Sequence, residues 1–145
     1  MQKINPGVKT CYCINFRRSA NAITKFYDKR LESLGVTANQ LSLLSDIKIL
    51  KVCNRTELAQ FSKLDRTTIV RNLATLEHKG FVTTTDGKDN RENSVKLTEI
   101  GYQTLKMGTE KWKQAQQRVF NKIGAENISV LKQIFDKIGE LDEEK

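Results

Sequence analysis

Three cysteines and one histidine bound the chemistry open to this chain of 145 residues. Cys11 and Cys13 lie one residue apart, Cys53 stands alone, and His78 is the sole imidazole. A zinc site needs a second ligand pair at knuckle spacing, and acyl transfer needs a base beside a nucleophile; neither pattern occurs. The eight glycines form no phosphate-cradling loop. Hydrolytic, redox-cofactor and nucleotide-dependent catalysis are not expected, and no cofactor or metal is predicted. An odd cysteine count argues against a disulfide-stapled secreted domain. Cys11 and Cys13 nevertheless fall at the start of the first predicted helix, where the dipole favours a thiolate, so both are candidate redox residues. Cys53, at a helix end, is expected to be inert.

The second kind of chemistry is cationic. Lys plus Arg number 25 against 17 Asp plus Glu, a formal charge of +8, which suits a polyanionic partner. The excess is uneven: nine basic against three acidic residues in 1–54, eight against six in 55–96, and eight against eight in 97–145. Bulk charge alone does not establish a nucleic-acid partner. No apolar run approaches the ~18 residues of a membrane span, and the polar start from Met1 to Lys9 lacks a signal-peptide pattern. A cytoplasmic location without membrane contact is expected.

The elements that must position these residues follow from apolar spacing. A single proline, Pro6, precedes the periodic segments, as in a mostly helical chain. Phe16, Ala20, Ile23, Tyr27, Leu31 and Leu34 predict a helix from about Cys11 to Leu34, ended by Gly35. Thr37 to Gln40 is a capping-box pattern ahead of Leu41, Leu44, Ile47 and Leu50. Thr56 is predicted to cap a short helix through Phe61, with a turn at Ser62 to Leu64, and Asp65 to cap the next helix. On that helix Ile69, Leu73 and Leu76 share one side, leaving Thr67, Val70, Arg71, Ala74 and His78 for water or a partner. Phe81 to Thr85 and Ser94 to Leu97 read as a hairpin around the turn-rich run Asp86 to Arg91. Thr98 caps a long helix to about Gly124, and a last helix spans roughly Ala125 to Leu141.

Two helices, a tight turn and a hairpin are the order of a winged helix-turn-helix. The predicted fold is mainly α with a small β-hairpin wing: one domain over 1–145, with a winged helix-turn-helix lobe at 37–97. Residues 11–35 and 98–141 are long flanking helices whose stripes suit a dimer interface, the alternative being that they fold back on one another within a monomer. A recognition helix reads base edges from its N-terminal turns, here Arg66, Thr67, Thr68 and Arg71 with Asn72 beside them. Arginine offers a bidentate fork to guanine, and a threonine methyl meets thymine. Thr67 and Arg71 are the predicted base readers; Arg66 suits a phosphate. Thr56 and Ser62 are candidate phosphate donors, and the wing adds Lys88 and Arg91. Asp86, Asp89 and Arg91 can also simply lock the hairpin by hydrogen bonds.

These residues resemble the MarR family of bacterial regulators, named for multiple antibiotic resistance, from about Cys11 to Leu141. The match is strongest in "DRTTIVRNLATLEHKGFV", Asp65 to Val82, then Asp86-x-x-Asp89-x-Arg91 and Val95-x-Leu97-Thr98-x-x-Gly101. The stretch Cys11 to Thr37, and "GTEKW" with Gln116, further resemble a branch with a Cys-x-Cys start. The resemblance implies a homodimeric transcription regulator with two lobes on a near-palindromic double-stranded operator. It implies dimerisation through the first and last two helices. It places Arg91 in the minor groove with Asp89 orienting it. It also implies an effector pocket between dimer helices and lobes, for a small, often aromatic anion, with Phe16, Tyr27 and Trp112 as candidate walls. Cys13 falls in the register of the reactive cysteine of the hydroperoxide-sensing branch. Tyr27 matches one of that branch's tyrosines, whereas Arg17 and Ala38 replace two others. The expected function is therefore a DNA-binding regulator, a repressor released by a small molecule or an oxidant. Alternatives are a redox regulator using Cys13 and a helical interaction module that binds no DNA. A thiol enzyme ranks last, lacking a base or cofactor motif.

Overall fold

The computed structural model describes residues 11–85 and 94–141. Along them run α1 (Tyr12–Leu31), a 3₁₀ turn (Glu32–Leu34), α2 (Ala38–Leu50), α3 (Arg55–Ser62), α4 (Arg66–His78), β1 (Val82–Thr85), β2 (Ser94–Leu97), α5 (Glu99–Ile123) and α6 (Ala125–Glu140). The expected first helix thus starts one residue later and tightens after Leu31, with Gly35 at φ 69° closing the turn. Glycine holds that left-handed angle without the steric cost other residues meet.

The starts of α2, α3, α4 and α5 are set by side-chain caps. Thr37 Oγ1 accepts the Gln40 N–H and Gln40 Oε1 accepts the Thr37 N–H, both at 3.2 Å. Asp65 and Thr98 cap α4 and α5 as expected. The cap of α3 is a correction: Asn54, not Thr56, begins the helix. Asn54 Oδ1 accepts the Glu57 N–H at 2.8 Å, and Glu57 Oε2 accepts the Asn54 N–H at 2.9 Å. The reason is reciprocity. A cap at Thr56 would put Ala59 third along the helix, where no side chain can answer.

α2 lies at the centre of the lobe, against α1, α3, α5 and β2. Leu43, Leu44 and Ile47 on it are buried with Leu58 of α3, Ile69, Leu73 and Leu76 of α4, and Val82 and Val95 of the hairpin. The strands pair antiparallel, Val82 with Leu97 through Thr85 with Ser94. One feature lies beyond the periodic pattern: Cys53 bridges to Val95 on the other side of β2. Val95 N–H reaches the Cys53 carbonyl at 2.7 Å, and Cys53 N–H the Val95 carbonyl at 3.3 Å. That bridge draws Cys53 into the core.

α5 crosses the lobe at two glycines. A Cβ on Gly101 would stand 2.0 Å from the Phe81 carbonyl oxygen, and one on Gly108 would stand 2.4 Å from a Leu41 methyl. The frame around the lobe is different. α6 buries no residue, and α1 buries only Leu31 of its predicted stripe, leaving Phe16 and Ile23 exposed.

Candidate nucleic-acid interface

Two opposed sets of contacts present α4. Ile69, Leu73 and Leu76 anchor it to the core, so the opposite face looks outward. At its start, Asp65 Oδ1 accepts the Thr68 N–H at 2.9 Å and Oδ2 accepts the Thr68 hydroxyl at 2.6 Å. These two bonds hold the Asp65 carboxyl below the usual carboxylate range. The Thr68 hydroxyl is therefore committed to the cap, and Asn72 donates from Nδ2 to the Thr68 carbonyl at 3.0 Å. Arg66, Thr67, Val70, Arg71, Ala74 and His78 are exposed. Among the described residues no hydrogen bond or ion pair holds the side chains of Thr67 or Arg71. The Arg71 fork, the hydroxyl and methyl of Thr67 and the apolar Val70 (44% exposed) form one free face within the first two turns of the helix. Such a face matches base edges in a major groove.

The supporting helix distributes the other candidates. Thr56 is exposed on the first turn of α3. Ser62 departs from the expected phosphate role: its hydroxyl donates to Asp46 Oδ2 at 2.7 Å, tying α3 to α2. Asp86, Lys88, Asp89 and Arg91 lie outside the described residues. Glu77, which periodicity did not single out, reaches β1 from α4 and accepts from Thr84.

The thiols divide into two environments. Cys11, at the N-cap of α1, and Cys13 are both exposed. Cys53 is buried; burial first, and then the Glu57 charge, push its thiol up to about 11. A thiol held that far above its ordinary value stays protonated, the inert state expected for it.

The three candidate pocket walls do not come together. Trp112 lines a cavity of about 270 Å³ between α2 and α5, with Ala38, Leu41, Ser42, Ser45, Leu105 and Thr109. The Tyr27 hydroxyl donates instead to Gln116 Oε1, its ring meeting Phe26 edge-on at 5.7 Å. Phe16 stands exposed on α1. A separate cleft of about 550 Å³ gathers Lys29 and Arg30 with Lys111 and Arg118, the Arg30 guanidinium lying 3.3 Å from the Phe26 ring centre. Among the described residues no cluster of three or more His, Cys, Asp or Glu can hold a metal ion. No described helix is long and apolar enough to cross a membrane.

The MarR family model matches residues 36–93, which run from just before α2 through β1 and stop at the residue ahead of β2. Over that stretch the chain is similar to the MarR family. The whole described frame follows the same plan. The M. tuberculosis transcriptional regulator MosR, solved in complex with DNA, superposes with a TM-score of 0.78 at 28% identity over 92% of this chain and 96% of its own. A mutant MarR from E. coli, complexed with operator DNA, shares the fold at a TM-score of 0.74 and 22% identity, over 85% of this chain and 89% of that one. An HTH-type transcriptional regulator of Bacillus subtilis (strain 168), YwoH, is 30% identical over 81 residues, or 56% of this chain. That stretch spans 59% of YwoH's own length. These MarR-type neighbours are transcription regulators, not enzymes.

Proposed function

We propose that this chain is a DNA-binding transcription regulator that acts as a cytoplasmic homodimer on a near-palindromic operator. The observation that carries the reading is the outward face of α4, where Thr67, Val70 and Arg71 stand unheld while Asp65 and the buried leucines fix the helix itself. On this reading Thr67 and Arg71 contact bases. Thr68 and Asn72 support that turn. Arg66, Thr56 and Lys88 meet phosphates, and Arg91, with Asp86 and Asp89 beside it, enters the minor groove. Ser62 keeps its place between α3 and α2. The lobe at 37–97 does the reading, and the helices at 11–35 and 98–141 join two chains, as the exposed apolar residues of α1 and α6 favour.

Selection of bound sequences from random duplexes, followed by a salt titration, tests this. A palindromic consensus and an affinity that falls steeply with salt are expected. Duplex binding that is absent or indifferent to salt supports the interaction-module alternative instead.

A repressor role follows if bound DNA is released by a signal, and two signals have support here. Cys11 and Cys13 are exposed at one helix start, which favours an oxidant. The crevice lined by Trp112, with the hydroxyls of Ser42, Ser45 and Thr109, suits a small aromatic molecule. Mass spectrometry of Cys13 after mild peroxide, read beside operator affinity, separates them: an unmodified thiol with unchanged affinity removes the redox reading.

A further inference from the structure

The hairpin meets the recognition helix through one acidic side chain. Thr84 of β1 faces Val95 of β2, and both backbone groups of Val95 are already turned to Cys53. Thr84 and Val95 therefore form a pair without mutual hydrogen bonds, and the Thr84 N–H points to the free edge of β1. An edge N–H is ordinarily left to water. Here Glu77, one residue from the end of α4, takes it: Glu77 Oε1 accepts the Thr84 N–H at 3.1 Å and the Thr84 hydroxyl at 2.6 Å. Between the two elements the backbone turns through Gly80 at φ 74°, its N–H donating to the Glu77 carbonyl at 2.8 Å and its own carbonyl accepting from the Thr98 hydroxyl at 2.6 Å. Among the described residues these are the only side-chain hydrogen bonds between α4 and β1. β1 leads directly into 86–93, the stretch that carries Lys88 and Arg91.

We propose that Glu77 is a positioning residue for DNA recognition, its carboxylate clamping the edge of β1 so that the wing and the recognition helix meet the duplex at one fixed offset. The inference rests on the DNA-binding reading above. It assigns Glu77 a role with no contact to DNA: an anionic side chain at the interface repels phosphate, so any affinity it confers must act through geometry.

The test uses the full chain and its selected duplex, with Glu77→Ala, Glu77→Gln and Thr84→Val. Circular dichroism and melting confirm that each is folded; Glu77 is exposed, and Thr84→Val removes one of the two bonds without touching the helix. Glu77→Ala is expected to lose about tenfold in operator affinity, the scale of one charge-assisted hydrogen bond. Glu77→Gln keeps a carbonyl acceptor and is expected to recover most of that loss, with Thr84→Val falling between them. Hydroxyl-radical protection under the wing should fade in Glu77→Ala while protection under α4 persists. In an Arg91→Ala background the Glu77→Ala loss should shrink, because both changes act through the wing. Wild-type affinity and footprint in folded Glu77→Ala, or losses that simply add with Arg91→Ala, overturn the proposal alone. Failure of the wild-type chain to bind any duplex overturns it together with the reading it rests on.

Discussion

The lobe and the frame use apolar residues in opposite ways. In the lobe, Leu44, Ile47, Leu58, Ile69 and Leu76 are completely shielded, each helix of the recognition motif begins on a side-chain cap, and the hairpin closes onto Cys53. In the frame, α6 carries Ile134, Phe135 and Ile138 in helical register with none of them buried, and Phe16 and Ile23 of α1 stand exposed in the same way. A helix that keeps an apolar stripe in water is incomplete. The lobe is packed within its own chain, whereas the frame leaves apolar stripes exposed, as the proposed dimer interface requires. Damage to the first should appear as lost folding, and damage to the second as lost assembly.

The sharpest way to break that contrast is a core deletion. Leu44→Ala should cost about 2–5 kcal/mol of stability, seen as a lower midpoint in urea, because α2 is packed on several sides and cannot collapse around the cavity. An equal loss from a stripe residue of α6 would erase the distinction. Phe135→Asp is the matching change in the frame. It should leave the helical content unchanged but weaken self-association by about 2 kcal/mol or more, measured by sedimentation equilibrium. An unaltered association constant would place the interface elsewhere.

Within the lobe, the outward and inward faces of α4 should also separate. Arg71→Ala is expected to lose about 1–3 kcal/mol on the selected operator and little on scrambled duplex, with the melting temperature held. Equal losses on both would remove its base-reading role. A smaller effect belongs to pH. The Asp65 carboxyl is lowered, first by the Thr68 hydroxyl and then by its N–H. Its folded value lies below its unfolded one, so its contribution is complete above the ordinary carboxylate range and fades as pH falls through the lowered value. Asp65→Asn keeps an acceptor for the cap without the charge; its melting temperature should fall less steeply than the wild type's on acidification. Parallel curves would mean the charge adds nothing.

Much of this was legible in the residues, for physical reasons that also explain the gaps. Thr37 with Gln40, Asp65 with Thr68 and Thr98 with Gly101 are local pairings, so their caps could be read from spacing alone. Ile69, Leu73 and Leu76 repeat at helical period, and the buried face of α4 followed. Asn54 and Thr56 are both good caps, and only the answering side chain of Glu57 decides between them. Contacts distant in sequence leave no such mark. The Cys53 bridge spans 42 positions, and the Glu77 clamp crosses a helix end and a turn. The pocket candidates show a third limit. Phe16, Tyr27 and Trp112 share the spacing of core residues, yet one lies exposed, one is bonded to Gln116 and one lines a crevice. Periodicity names a face without naming what covers it.

On the proposed reading, two lobes sit on one duplex, held there by a frame that a second chain completes. Sedimentation equilibrium of the full chain, alone and with its selected duplex, tests it most directly. A dimer without DNA and two chains per duplex with it are expected. A monomer in both conditions, or one chain per duplex, contradicts that reading.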